Sequence, residues 1–174
     1  VRETDAPCPP GGERPLTAGE CALVAEVFGG AVDPLPVRIR RRRWFPLQPT
    51  ATVMAPMGHI HFAPGNPLYR EDFSQAALPL QGLFVHEMVH VWQAQVRGRW
   101  WLPLMRHPFC RYAYAFRPGR PFTRYGIEQQ AEIVRHAFMA KRGHPSPGAP
   151  PPELLQAILP FRQFPQFAPA QQAQ

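Results

Sequence analysis

Two imidazoles and a carboxylate stand close together in the run Phe84-Val85-His86-Glu87-Met88-Val89-His90-Val91-Trp92-Gln93. On a helix, residues four apart lie on one face about one turn from each other. His86 and His90 can therefore both turn a ring nitrogen toward one metal ion. Glu87 flanks that ion without having to bind it. This is the place of a general base that takes a proton from zinc-bound water during hydrolysis of a peptide or other amide bond. Random placement of the 7 His and 12 Asp+Glu over 174 positions gives such a match with a probability of about 0.02. Leu83, Val85, Met88, Val89, Val91 and Trp92 surround the three polar residues with apolar ones, and burial there is costly unless something binds them. One Zn2+ per chain meets that need, with a pair of ordinary core histidines as the competing explanation.

A catalytic zinc takes three protein ligands and leaves a fourth position open, so a second segment must return to the His86/His90 helix. Residues 125 to 138 have apolar side chains at 127, 131, 134 and 138, a helical spacing, with Gly126 near the start. Glu128 and Glu132 are four apart and project from one face. One can bind the metal while the other accepts a hydrogen bond from the far nitrogen of a ligand histidine. His107 and His136 are rival third ligands, with a solvated or capping role as the ordinary explanation for each.

This arrangement resembles the gluzincin group of metallopeptidases, in which a downstream helix supplies two acids four apart. The resemblance implies that Glu128 binds zinc and Glu132 supports a histidine. A closer resemblance covers roughly Leu16 to Phe138. His86-Glu87-Met88-Val89-His90-Val91-Trp92-Gln93, then Tyr112-Ala113-Tyr114, then Glu128-Gln129-Gln130-Ala131-Glu132 look like a group of short bacterial metallopeptidases described as Vgr-related. Leu16-Thr17, Glu20, Val27-Phe28-Gly29 and Asp72-Phe73-Ser74 also fit that group. By name it is associated with type VI secretion. The resemblance implies a fold and a zinc site but carries no substrate.

The elements that must position these residues are readable in part. Thr17-Ala18-Gly19-Glu20 is a capping box opening a helix that stops at Gly29-Gly30. Val37 to Arg41 and Thr50 to Met54 read as strands, and Gly58 to Phe62 as a third. Zincins lay an extended substrate along an edge strand, and the resemblance makes Gly58 to Phe62 that edge. His59 and His61 alternate there with Ile60 and share a side. A second metal site from this pair is conceivable, while a half-exposed strand face is the ordinary explanation. Asp72-Phe73-Ser74 starts a turn or short helix. The metal helix runs from about Leu80 to Val96, with Gly98 as its stop. Between Arg99 and Arg124 an aromatic, Arg- and Pro-rich stretch reads as a loop over the metal helix that forms part of the substrate cleft. From it Tyr112, Tyr114 or His107 could contact substrate or the oxyanion, with aromatic packing as the alternative. A short helix is expected over Pro152 to Leu159.

The expected architecture is an α+β, zincin-like single domain with an active-site helix, a small sheet with an edge strand, and a downstream ligand-bearing helix. Residues 1–15 read as an irregular Pro/Gly-rich segment, 16–143 as the metallopeptidase domain, and 144–174 as a Pro/Gln-rich segment that clasps the body or recruits a partner. The length suits one core, and the 24 Pro fix many connections as turns. Net charge is +7, with Lys141 the single lysine among 19 Lys+Arg. The run Arg38-Ile39-Arg40-Arg41-Arg42-Arg43-Trp44 could meet an acidic polymer, or blunt an exposed strand edge. No aromatic-interleaved nucleic-acid module accompanies it, so a nucleic-acid partner is not expected. Cys8, Cys21 and Cys110 lack zinc-finger spacing and read as buried or incidental. No apolar run is long enough to span a membrane. No signal peptide is recognisable, and a bacterial protein, cytoplasmic or exported, fits equally.

Hydrolysis of a peptide, protein or peptidoglycan-peptide substrate is the leading expectation. The alternatives are a secretion-associated zinc-binding structural or adaptor module with little turnover, and a polyanion binder in which zinc only stabilises the fold.

Overall fold

Thr17 opens the first long helix in the manner its sequence predicts: its Oγ1 accepts from the Glu20 amide at 3.0 Å, and Glu20 Oε2 accepts from the Thr17 amide at 2.9 Å. In this computed structural model, which describes residues 7–105 and 112–161, the elements in chain order are β1 (Glu13–Pro15), α1 (Ala18–Phe28), β2 (Arg38–Arg40), β3 (Val53–Met54), β4 (Ile60–Phe62), a 3-10 turn at Phe73–Gln75, α2 (Leu78–Arg97), α3 (Trp101–Met105), a 3-10 turn at Phe122–Arg124, α4 (Ile127–Lys141) and α5 (Pro152–Ile158). The result is a mixed α+β domain of one small sheet and packed helices.

Glu20 does more than cap α1. It is fully buried, and Arg14 on β1 grips both its oxygens at 2.8 Å, while the Phe73 amide donates to Oε1 at 2.9 Å. A buried bidentate pair whose remaining lone pairs are also satisfied fixes β1, α1 and the turn before α2 relative to one another. Thr17→Ala removes one of the two cap bonds and leaves this pair intact, so it should cost only ~1 kcal/mol. Urea denaturation reads this directly, and an unchanged midpoint would mean that Arg14–Glu20 alone fixes the start of α1.

The four strands lie in the order β1-β2-β4-β3. β1 pairs antiparallel to β2, β2 parallel to β4, and β3 antiparallel to β4. Two sequence expectations are corrected here. Residues Glu13–Pro15, assigned to an irregular segment, form an outer strand in register with Arg38–Arg40. The segment Gly58 to Phe62 is not the edge: Ile60–Phe62 is an inner strand with all three side chains buried, and Gly58 belongs to the turn before it, at φ +83°. Alternation could not have shown this, because Ile60, His61 and Phe62 are buried on both faces and not on one. The outer strand on that side is β3.

The arginine run is tied into the domain. Arg40 and Arg42 both reach Glu13, Arg41 donates to the Cys8 carbonyl and covers the Tyr69 ring at 4.4 Å, and Arg43 donates to the Gln48 carbonyl. These contacts staple β1 to β2 and the following turn; β2 is paired on both sides, so the run does not blunt an exposed sheet edge as expected.

α2 is buried at every position from Phe84 to Val91. It is gripped between the sheet side, where Phe62, Phe73 and Phe84 stack at 5.4 and 5.6 Å, and α4. Gly82 permits the close approach of α4: a Cβ there would stand 3.0 Å from Met139 Sδ. Residues 145–161 pack into the domain: α5 lies on α4, Leu155 is fully buried, and Phe161 meets Phe28 and Trp92 edge-on at 4.8 and 5.2 Å. The domain's core thus extends beyond the expected boundary at 143. Among the described residues no helix is long and apolar enough to cross a membrane.

Candidate metal centre

α2 presents His86 and His90 one turn apart with ring centroids 5.0 Å from each other, and α4 brings Glu128, in its first turn, against both. Glu128 Oε2 lies 3.3 Å from His86 Nε2 and 3.1 Å from His90 Nε2. All three residues are buried, and one ligand atom from each fits within a 4.8 Å span. Among the described residues this is the only such group of His, Cys, Asp or Glu.

The far side of each imidazole decides what the near side can do. Gln130 donates its amide to the Tyr125 carbonyl at 2.9 Å, which turns its Oε1 toward Gln93 Nε2, also at 2.9 Å. Gln93 Nε2 also donates to the Ile127 carbonyl at 3.2 Å. Gln93 Oε1 is therefore an acceptor for His90 Nδ1–H at 2.9 Å, and the His90 Nε2 lone pair faces Glu128. Glu132 Oε1 accepts from His86 Nδ1–H at 2.8 Å with the same consequence. Two nitrogen lone pairs and a carboxylate oxygen then converge, a donor set suited to a cation. Zinc fits: at the usual zinc–nitrogen distance, neighbouring ligand atoms of a tetrahedral site stand about 3.3 Å apart, close to the separations seen here. The residues that would hold it are His86, His90 and Glu128.

Without the metal a proton takes that place. Burial pushes the His86 imidazole down, but hydrogen bonds to Glu128 and Glu132 and the charge of Glu87 raise it to about 9. Glu132 is held well below the ordinary carboxylate range: burial alone would raise it, and His136, His86 and Arg135 more than reverse that.

Glu87 is 5% exposed, and its Oε2 meets no hydrogen-bond partner among the described residues. It lines, with His86, a cleft of about 270 Å³ whose wall includes Thr52 and Val53 of the β3 margin, Tyr112 and Arg135. Tyr112 stacks over His86 at 6.0 Å. Tyr114 is directed elsewhere, its hydroxyl 2.8 Å from His136 Nδ1. His136, the rival ligand, contacts Glu132 Oε2 at 3.3 Å and stands outside the ligand triangle. His107 and Cys110 lie outside the described residues, and Cys8 and Cys21 are free thiols.

His59 and His61 form no second centre. Burial pushes His61 down to about 4, with Arg40, His59 and Arg42 adding to the effect, and its Nδ1 sits 3.3 Å from the Arg42 carbonyl. Burial and Arg40 likewise lower His59. Neighbouring guanidinium charge opposes a bound cation there. Three features of the metal centre were not read from the sequence: the Gln93 support of His90, the contact of His136 with Tyr114, and the β3 wall. The i, i+3 spacing of His90 and Gln93 was a usable signal for the first; the other two depend on tertiary placement.

No family model matches the chain. The type VI secretion system spike protein VgrG2b of Pseudomonas aeruginosa is 42% identical over 136 residues, covering 74% of this chain but only 13% of the spike protein. The solved effector domain of Pseudomonas aeruginosa VgrG2b superposes with a TM-score of 0.63 and 36% identity, over 81% of this chain and 78% of that domain. By sequence and by fold, the chain belongs to the family of VgrG2b effector domains of type VI secretion.

Proposed function

We propose that this domain is a type VI secretion effector that hydrolyses a peptide or amide bond, with a zincin-like zinc centre held by His86, His90 and Glu128. The observation that carries the reading is the buried Glu87 carboxylate, without a hydrogen-bond partner at Oε2 and lining the same cleft as a ligand histidine. A carboxylate kept buried at such a position without a structural bond is suited to proton transfer. Zinc at this site supplies a Lewis acid that polarises the scissile carbonyl and acidifies water. Glu87 takes the proton from the attacking water and passes it to the leaving nitrogen. Gln93 and Glu132 hold the two imidazoles in the tautomer that keeps Nε2 available. Tyr112, half exposed and lining the cleft, is the candidate donor to the oxyanion in this reading, and the outer margin of β3 offers backbone groups to an extended substrate.

A second reading has a specific support. The relatives are a secretion spike protein and its effector domain, and a secretion-associated zinc-binding structural or adaptor module with little turnover agrees with them better than a hydrolase does. Zinc-loaded protein assayed against casein, mixed-sequence peptides and peptidoglycan peptides separates the two. Cleavage that a strong chelator abolishes is expected, whereas no turnover on any of the three leaves the adaptor.

A further inference from the structure

The carboxylate that orients His86 is itself held from the far side. Glu132 Oε2 faces His136 Nε2 at 3.3 Å, and His136 Nδ1 faces the Tyr114 hydroxyl at 2.8 Å. At 3.3 Å the Glu132–His136 contact is an ion-pair approach and not a hydrogen bond; a neutral His136 ring with its proton on Nε2, toward the carboxylate, leaves Nδ1 to accept from the Tyr114 hydroxyl. His136 follows Glu132 by one turn of α4 and therefore shares its face. Tyr114 is braced edge-on against the buried Tyr125 at 6.1 Å. The polar contacts thus run from Tyr114 through His136 to Glu132 and meet the hydrogen bond that His86 donates from Nδ1. Arg135 adds a longer contact to Oε1 at 3.3 Å.

We propose that His136 and Tyr114 are positioning residues of the metal centre: anchored through Tyr114, His136 fixes the Glu132 carboxylate so that the His86 imidazole keeps Nε2 on the ligand triangle. This rests on the metal-centre reading above. Polar contacts on both sides of Glu132 restrict the rotation of its carboxylate and of the ring it holds, so less freedom is lost when the ion binds.

The test is zinc affinity, measured by competition with a chromophoric chelator, in the full chain and in His136→Ala, Tyr114→Phe and His136→Gln. A partner that orients a metal ligand is worth roughly 10- to 100-fold in affinity; one step further out, His136→Ala should raise the zinc Kd about 10-fold and Tyr114→Phe about 3-fold. His136→Gln, which retains an amide donor toward Glu132, should recover most of the loss. In metal-free protein the His86 Nδ1–H resonance should be protected from exchange in wild type and broadened or lost in His136→Ala. Kd values within twofold of wild type for both His136→Ala and Tyr114→Phe, with the resonance unchanged, overturn the proposal while leaving the metal centre standing. Wild type that binds no zinc overturns both. If His136→Ala fails to fold, Tyr114→Phe decides the matter, because its ring packing is preserved.

Discussion

Glu87→Gln should retain wild-type zinc content and melting temperature while hydrolysis falls by at least ~10²-fold, toward ~10⁴-fold if proton transfer limits the rate. The two side chains have nearly the same shape, so a position only 5% exposed is neither emptied nor overfilled. Oε2 makes no hydrogen bond whose loss would be felt in the fold. What the amide loses is the ability to accept the proton of the attacking water. Wild-type turnover in the variant removes Glu87 from the mechanism. Loss of zinc or a marked drop in melting temperature would instead assign it to the structure of the site. An adaptor would tolerate the substitution in every assay, including a secretion assay.

The local parts of this site were legible because their signals are local. The spacing of His86 and His90 sets a shared helix face, Thr17 and Glu20 announce the start of α1, and Gly98, at φ +93°, ends α2 where its lack of a Cβ permits that conformation. The spacing of Glu128 and Glu132 required that both face one way, but only the resemblance distributed their roles. The distances then put Glu128 Oε2 against both Nε2 atoms and Glu132 Oε1 on His86 Nδ1. Strand order was not legible. Pairing of β2 with β4 leaves β3 as the outer strand, and that choice is made by long-range packing around Ile39, Ile60 and Phe62, not by any two-residue period. The place of the Arg38 to Arg43 run was likewise not legible, because Glu13, distant in sequence, is brought beside Arg40 and Arg42 only by the pairing of β1 with β2.

Glu128→Ala should weaken zinc binding by more than ~100-fold, and Glu132→Ala by roughly 10- to 100-fold, since losing a ligand exceeds losing the group that orients one. The structure gives each value a separate cause. Without Glu128 the two Nε2 lone pairs lose the carboxylate that faces both, and a two-imidazole site holds a divalent ion poorly. Without Glu132 the triangle keeps all three ligand atoms, but His86 Nδ1 loses its 2.8 Å acceptor and the ring can rotate. His90 keeps its Gln93 acceptor in both variants. Titration of metal-free protein with zinc against a competing chelator measures both constants. The reverse order would exchange the two roles and make Glu132 the ligand. Affinity unchanged in both would exclude α4 as the source of a ligand and leave His86 and His90 to be completed from elsewhere in the chain.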